Sequence, residues 1–282
     1  MYFTNRSYSA LSEGTINSGK CNFMADTITF SFGENWSAYK KQVTQAQIDT
    51  SLKDLENWLG TENIKGKRIL DIGCGSGVHS FNFYRLGASE LVSFDYDIHS
   101  VNTTIEFWKE MNEPANWRVF QGSVLDEKLI SELGQFDIVY SWGVLHHTGS
   151  MWEAIRNAMK PVAAGGKFWI AIYQGVDTYE RDLTLKKRYN QASWLGKKRM
   201  VLYWVLRKIK TQLSRRENPF AWNKKNERGM DVYHDIIDWL GGLPYEVASV
   251  DQIKAFCEPE GFRLLKVDTT EGCAVYLFEK AG

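Results

Sequence analysis

Proline and cysteine are scarce in this 282-residue chain, with five of the first and four of the second. Cys21, Cys74, Cys257 and Cys273 are scattered, with no Cys-x-x-Cys pair and no ligand-like spacing. That excludes a disulfide scaffold and a zinc ribbon, and it reads as a reduced, intracellular set. Long apolar runs are missing as well, so no membrane-spanning segment is expected. The N-terminus lacks the apolar core of a signal peptide, and a soluble, cytoplasmic protein is the expectation. Net charge is also absent, since 34 Lys and Arg balance 34 Asp and Glu. The balance hides an asymmetry. Residues 181–228 hold 15 Lys or Arg against three acids, Asp182, Glu217 and Glu227, and the rest of the chain carries the compensating negative excess. Aromatic residues, by contrast, are plentiful enough to fill a large core or line an apolar pocket.

The stretch that organises the chain is residues 68–80, RILDIGCGSGVHS. Ile69, Leu70 and Ile72 form a short apolar run suited to a strand buried on both faces. Asp71 interrupts it near its carboxyl end, and Gly73, Gly75 and Gly77 follow at alternate positions. A turn that tight needs residues without Cβ and lets a ligand approach bare backbone. Ser76, Val78 and Phe81 then open a helix. The spacing is Gly-x-Gly-x-Gly, whereas a dinucleotide fingerprint requires Gly-x-Gly-x-x-Gly with pyrophosphate on the helix N-terminus. A carboxylate at Asp71 would repel pyrophosphate and suit a ligand carrying an amino group. A second strand, at 90–94, ends in Asp95, 22 positions beyond Gly73, where a carboxylate accepting two ribose hydroxyls belongs. Asp97 is the close alternative.

With these features the chain resembles the class I S-adenosylmethionine-dependent methyltransferases. The segment VLHHT…MWEAIRNAMKPVAAGGKFWIAIY strengthens the likeness. Within the family the core looks similar to the polyprenyl-hydroxyphenol (ubiquinone-pathway) methylases, in cofactor motifs rather than acceptor motifs. The resemblance covers roughly 60–175 and 248–280. It implies an α/β fold with a Rossmann-like seven-stranded sheet, helices on both faces and the last strand antiparallel. It implies S-adenosyl-L-methionine as cofactor, held by Asp71, Gly73, Cys74, Gly75 and Gly77, by Asp95 and Tyr96, and by Ser123, Val124 and Trp142. Many members carry an acidic residue where Ser123 stands, which leaves the adenine contact to Ser123 or to a backbone group.

The remaining pattern supplies the other elements. A helix is expected over 36–59, with Val43, Ile48, Leu52, Leu55 and Leu59 as its stripe. Further helices are expected at 98–112, 151–159 and 249–259, with strands at 117–121, 136–141, 167–173 and 262–267. A hairpin through Glu271-Gly272 leads to a last strand at 273–279. Residues 1–23, polar and without periodicity, read as a flexible extension. Residues 24–282 read as the methyltransferase domain, and 174–247 as a helical insertion, with helices at 194–213 and 230–240, forming a lid over the carboxyl edge of the sheet.

Methyl transfer needs alignment, exclusion of water and, for a hydroxyl acceptor, a base. His146 and His147, after the fourth strand, are the candidate bases, one of them equally suited to filling the loop core. Tyr173 is placed to touch the acceptor but is a poor base at neutral pH. Trp36 and Tyr39 are candidates to roof the pocket or to pack on the sheet edge. Arg228, His234 and Asp238 are candidate acceptor contacts. His234 and Asp238 lie one helical turn apart, yet no third and fourth ligand is apparent and no metal is expected. The leading expectation is methylation of a small, anionic or amphiphilic acceptor at oxygen. The alternatives are an RNA (tRNA) methyltransferase, suggested by the basic insertion, and a non-catalytic cofactor-binding subunit. The glycine spacing disfavours an NAD-dependent dehydrogenase. The expected partner is a small molecule, with nucleic acid disfavoured but open and a homodimer allowed.

Overall fold

The structure, a computed structural model, describes residues 45–216, 218, 232–270 and 272–282. Seven strands form one sheet: β1 (Arg68–Ile72), β2 (Glu90–Asp95), β3 (Trp117–Gln121), β4 (Phe136–Trp142), β5 (Val162–Tyr173), β6 (Phe262–Asp268) and β7 (Cys273–Lys280). Their spatial order is β3-β2-β1-β4-β5-β7-β6. The first five pair in parallel, while β7 runs antiparallel to both β5 and β6. The chain therefore winds outward from β1 to β3, then returns to the other side of β1 with β4. That reversal opens a crevice at the carboxyl ends of β1 and β4, where open α/β sheets place their ligands.

Strand periodicity assigns the two faces. Leu70, Ile72, Val92, Phe94, Phe168 and Ile170 point into one core, with α5 (Met151–Met159) and α9 (Val250–Cys257) covering it. Ile69, Leu91, Ile138, Trp169 and Ala171 point into the other, under α1 (Gln45–Trp58), α2 (Val78–Arg85) and α3 (Ile98–Glu110). Asn82 of α2 donates to the carbonyl of Ile48, 2.8 Å away, and ties α1 to the glycine-loop helix.

The insertion between β5 and α9 holds α6 (Tyr179–Gln191), α7 (Trp194–Ser214) and α8 (Val232–Gly241). These helices share a small core of Tyr189, Val201, Ile236 and Leu240. Tyr179, Leu183 and Trp239 join it to the sheet.

Several expectations shift. Of the helix expected over 36–59, α1 spans Gln45–Trp58, and residues 36–44, with Trp36 and Tyr39, lie outside the described residues, as do 1–23, Arg228 and Glu271. Strand β5 starts at Val162 rather than 167. Val162 pairs with Phe136, the register then slips, and pairing resumes at Ile138 and Lys167. A Cβ at Gly166 would come within 2.8 Å of the Ala163 carbonyl, so the slip depends on a glycine. Helix α3 stops at Glu110, short of 112, because Asn112 and Glu113 adopt φ of 63° and 54°. Two helices were not foreseen. α4 (Glu127–Glu132) is a short turn capped by the Asp126 side chain, and α6 has a largely polar sequence.

Candidate active site

A cavity of ≈ 690 Å³ opens at the crevice, its wall including Asp71, Asp95, Ser123, Trp142 and His147. Its floor is the glycine turn. Gly73, Gly75 and Gly77 have φ of 77°, 53° and 77°, in the left-handed region that side chains rarely adopt. Space is as restrictive as conformation. A Cβ on Gly73 would run into the side chain of Val144, and one on Gly77 would meet Thr104 Oγ1 at 2.8 Å and its Cα at 2.9 Å. The amides of Gly73 and Cys74 both donate to the Phe94 carbonyl, at 2.8 and 3.1 Å, which folds the turn against the end of β2.

Asp71 is buried at the base of this turn, and a chain of hydrogen bonds fixes its orientation. Trp117 Nε1 donates to Ser93 Oγ at 3.0 Å, the two serine hydroxyls of Ser93 and Ser80 lie 2.8 Å apart, and Ser80 Oγ donates to Asp71 Oδ2 at 2.5 Å. An indole N–H can only donate and a carboxylate only accepts, so the protons all point from Trp117 toward Asp71. This leaves Oδ1. It is buried, and among the described residues no donor reaches it. Burial pushes the Asp71 carboxyl up to about 7, the Ser80 bond opposes the shift, and the Asp95 charge adds to it.

Asp95 closes the other side. Its Oδ2 accepts from Gly75 N at 3.0 Å and its Oδ1 from Asp97 N at 2.9 Å, so strand end and glycine turn hold each other. Asp97 itself caps α3 through its side chain, accepting from His99 N. Burial raises the Asp95 carboxyl to about 6 despite these bonds. Between the two carboxylates, burial first and then their charges hold the Cys74 thiol well above its usual range, so it stays protonated. Among the described residues no Lys or Arg lines the cavity. A site walled by Asp71, Asp95 and Asp97, with no such cation beside them, is built for a positively charged ligand. At the far end, Ser123 Oγ accepts from Leu125 N at 3.1 Å and keeps its own proton to donate.

The two histidines part company. His147 lines the cavity, and its Nδ1 lies 2.6 Å from the Pro244 carbonyl. That carbonyl cannot donate, so Nδ1 carries the proton and the lone pair of the neutral ring sits on Nε2. His146 is fully buried, its Nδ1 accepting from Tyr173 N at 3.3 Å and its ring 4.1 Å from that of Tyr173. It is not part of the cavity wall, unlike its neighbour. Tyr173 is likewise buried against His146 and does not line the cavity. Nor does any residue of α6, α7 or α8 described here, so Asp238, buried within the insertion, is not an acceptor contact in this arrangement. His234 lies on α8, and its side chain is outside the described residues. Among the described residues the insertion reaches the site through the segment after α8. Leu243 and Pro244 line the cavity, Glu246 N donates to the His146 carbonyl at 3.0 Å, and the Glu246 carboxylate accepts from Met151 N at the start of α5. Sequence reasoning missed Ser80, Ser93, Trp117 and Pro244. Strand register brings in Ser93 and Trp117, and a contact across 97 residues brings in Pro244.

Comparisons with known proteins converge on one family. A family model described as a methyltransferase domain matches residues 63–230. A tRNA U34 carboxymethyltransferase of Alcanivorax borkumensis is 33% identical over 105 residues, 37% of this chain and 32% of that protein. A ubiquinone biosynthesis O-methyltransferase of a Methylobacterium species is 30% identical over 113 residues, 40% of this chain and 43% of that protein. The chain thus spans less than half the length of these curated relatives. Among solved structures, an O-methyltransferase family protein of Burkholderia thailandensis superposes with a TM-score of 0.53 at 14% identity, covering 88% of this chain and 58% of the other, and shares the fold.

Proposed function

The chain belongs to the methyltransferase-domain family, and from that membership we propose that it transfers the methyl group of S-adenosylmethionine to a hydroxyl oxygen of a small, amphiphilic acceptor. One observation carries the cofactor half of this reading: the open, buried oxygen of Asp71 in a cavity lined by three carboxylates and, among the described residues, by no Lys or Arg. Asp71 Oδ1 takes the α-amino group, and the glycine turn admits the amino-acid part against bare backbone. Asp95 accepts from the two ribose hydroxyls, with Tyr96 at the rim. Ser123 and Val124 border the adenine, Ser123 offering its hydroxyl proton to a ring nitrogen. Trp142 and Cys74 fill the wall between. When bound, the cofactor supplies a methyl group on a sulfonium, so the leaving group needs no protonation. The protein's remaining tasks are to align the acceptor, exclude water and remove a proton. His147 is the base, because the Pro244 carbonyl holds the tautomer whose Nε2 can accept that proton. Leu243 and Pro244 supply apolar wall beside it, which suits an acceptor with an apolar body. Residues 24–282 form the catalytic domain in this reading, with 174–247 inserted in it.

A second reading, modification of tRNA, draws on the name of the Alcanivorax relative and on the basic insertion. A transferred carboxymethyl group would bring an extra carboxylate into the cavity. Asp71 and Asp95 would repel it, and no lining Lys or Arg among the described residues would meet it. Incubation with methyl-labelled S-adenosylmethionine and either a long-chain hydroxyphenol or unmodified tRNA separates these readings. Label on the phenol oxygen is expected. Label on tRNA would replace the proposal with the second reading, and tight cofactor binding without transfer to either would indicate a non-catalytic subunit.

A further inference from the structure

Helix α7 has two apolar faces, and among the described residues only one of them is packed. Val201 is buried, and Met200, Trp204 and Val205 pack with it against Tyr189, Ile236 and Leu240. On another side lie Leu195, Leu202, Leu206 and Leu213, which remain 61%, 55%, 55% and 58% exposed. Their spacing is seven, four and seven residues. At about 100° per residue they fall within an arc of roughly 40°, well away from the packed face. Together they make a row of leucines about 27 Å long on the outside of the molecule. Trp194 stands exposed at its N-terminal end with Lys198 Nζ 3.9 Å above its ring, and Tyr203 is exposed along its flank.

The charge beside the stripe has one sign. Helix α7 carries Lys197, Lys198, Arg199, Arg207, Lys208 and Lys210 and no acid, and Arg215 and Arg216 follow directly. Arg199 and Lys210 fall about 40–60° from the stripe on one side and Lys198 about 60° on the other. An apolar seam edged by cations, on a helix too charged to enter a bilayer, is the pattern of a helix lying in a membrane interface. No helix among the described residues is long and apolar enough to cross a membrane.

We propose that α7 is an interfacial helix that docks the protein on an anionic lipid surface, with the leucine stripe at the acyl boundary and the flanking Lys and Arg on the headgroups. A second copy of the chain fits poorly, because a twofold contact through this face would bring one all-basic edge against another. The chain's own segments offer no acidic complement. Residues 1–44 contain four basic and three acidic residues, and 217–231 three of each. RNA would meet the cations but leave the four leucines without a role, since its backbone is read by charge and its bases by stacking on aromatic rings. The inference does not depend on which acceptor is methylated.

The test is flotation of the full chain with vesicles of phosphatidylcholine alone and of phosphatidylcholine mixed with phosphatidylglycerol. Binding is expected only to the mixed vesicles, weakening with added salt. The double substitution Leu202→Glu and Leu206→Glu is expected to lower partitioning at least tenfold. Changing Lys198, Arg199 and Lys210 to glutamine should lower it about fivefold for each charge removed. Both variants should keep the affinity of the wild type for S-adenosylmethionine, which shows that they fold. Equal flotation of the wild type and the leucine variant would overturn the proposal. So would a wild-type dimer that the leucine variant converts to monomer without any vesicle binding, which would assign the stripe to a second copy. Salt-sensitive binding of tRNA in place of vesicles, unaffected by the leucine changes, would assign the charge to nucleic acid.

Discussion

Changing Asp71 to asparagine is expected to stabilise the unliganded protein while nearly abolishing cofactor binding. The two effects have the same origin. In the folded chain burial lifts this carboxyl from 3.8 to about 7, the Ser80 hydroxyl opposing and Asp95 reinforcing the shift. The folded state therefore holds a proton that the unfolded state has already released between those two values. Asp71's contribution to folding is fully present below pH 3.8 and is lost as the pH climbs through 7. At pH 8 the wild type carries a buried, incompletely solvated anion. A shift of about three units bounds its cost at about 4 kcal/mol, and relaxation brings the expected gain for Asp71→Asn to about 2–4 kcal/mol. The asparagine oxygen can still accept from Ser80, so the hydrogen-bond chain from Trp117 survives the exchange. Thermal denaturation from pH 4 to pH 8 should show the two proteins alike at the acid end. The variant should melt roughly 5–10 °C higher at the alkaline end. Titration calorimetry at pH 8 should show affinity for S-adenosylmethionine reduced by more than about a hundredfold, the loss expected when a buried charge pair is broken. For the wild type, affinity should fall as the pH drops below 7, since a proton then competes with the cation for Asp71. A variant that melts below the wild type at pH 8, or one that binds the cofactor unchanged, would refute the assignment of Oδ1 to a cationic ligand.

Three further outcomes follow from the same geometry. Asp95→Ala removes both the ribose contact and the acceptor for the Gly75 amide, and should weaken cofactor binding by about 1.5–3 kcal/mol, read by calorimetry. His147→Gln should lower turnover about 10²- to 10⁴-fold with cofactor affinity preserved, whereas His146→Ala should appear first as a lower melting temperature, because that ring is packed against Tyr173 and fully buried. Gly73→Ala should destabilise the protein by about 1–3 kcal/mol, since φ is 77° and the new methyl would strike Val144. Adding Val144→Ala should restore the steric share of that loss and leave the backbone share, so a complete rescue would show that conformation at residue 73 does not matter.

What could be read from the sequence was whatever depends on near neighbours. The Asp71-to-Gly77 turn is contiguous, and its glycines follow from backbone geometry and the space left by Val144 and Thr104. The place of Asp95 at the end of β2 is legible because one strand–helix–strand unit has a nearly fixed length. Apolar runs mark the strands from Arg68 to Tyr173, and β5 exceeds the expected 167–173 because the chain crosses Gly165-Gly166 as a slip in register. The hydrogen-bond chain behind Asp71 was not legible. Ser93 reaches it because residue 93 pairs with residue 71 across β1 and β2, and Trp117 comes from the strand beyond. Adjacent histidines could not be told apart for the same reason: the Pro244 carbonyl that selects His147 lies 97 residues away.

The basic insertion shows a different limit. Composition puts its Lys, Arg and aromatic residues together as one basic stretch. In three dimensions they divide. Lys186 is fully buried among Tyr245, Trp239 and Tyr173, its ammonium 4.6, 5.0 and 5.7 Å from the three rings, and it donates to the Trp239 carbonyl. Burial draws it down to about 7, against the pull of Asp182 and Asp238. It belongs to the packing of α6 and α8 on the sheet. Lys198 and Arg199, a few residues on, are exposed beside the leucine stripe. Periodicity alone could have separated these groups, since an α-helix with apolar residues on two distinct faces buries one against its own fold and has the other to account for. What periodicity could not supply was which face the fold would take, and that choice was made by Tyr189 on α6 and by Ile236 and Leu240 on α8.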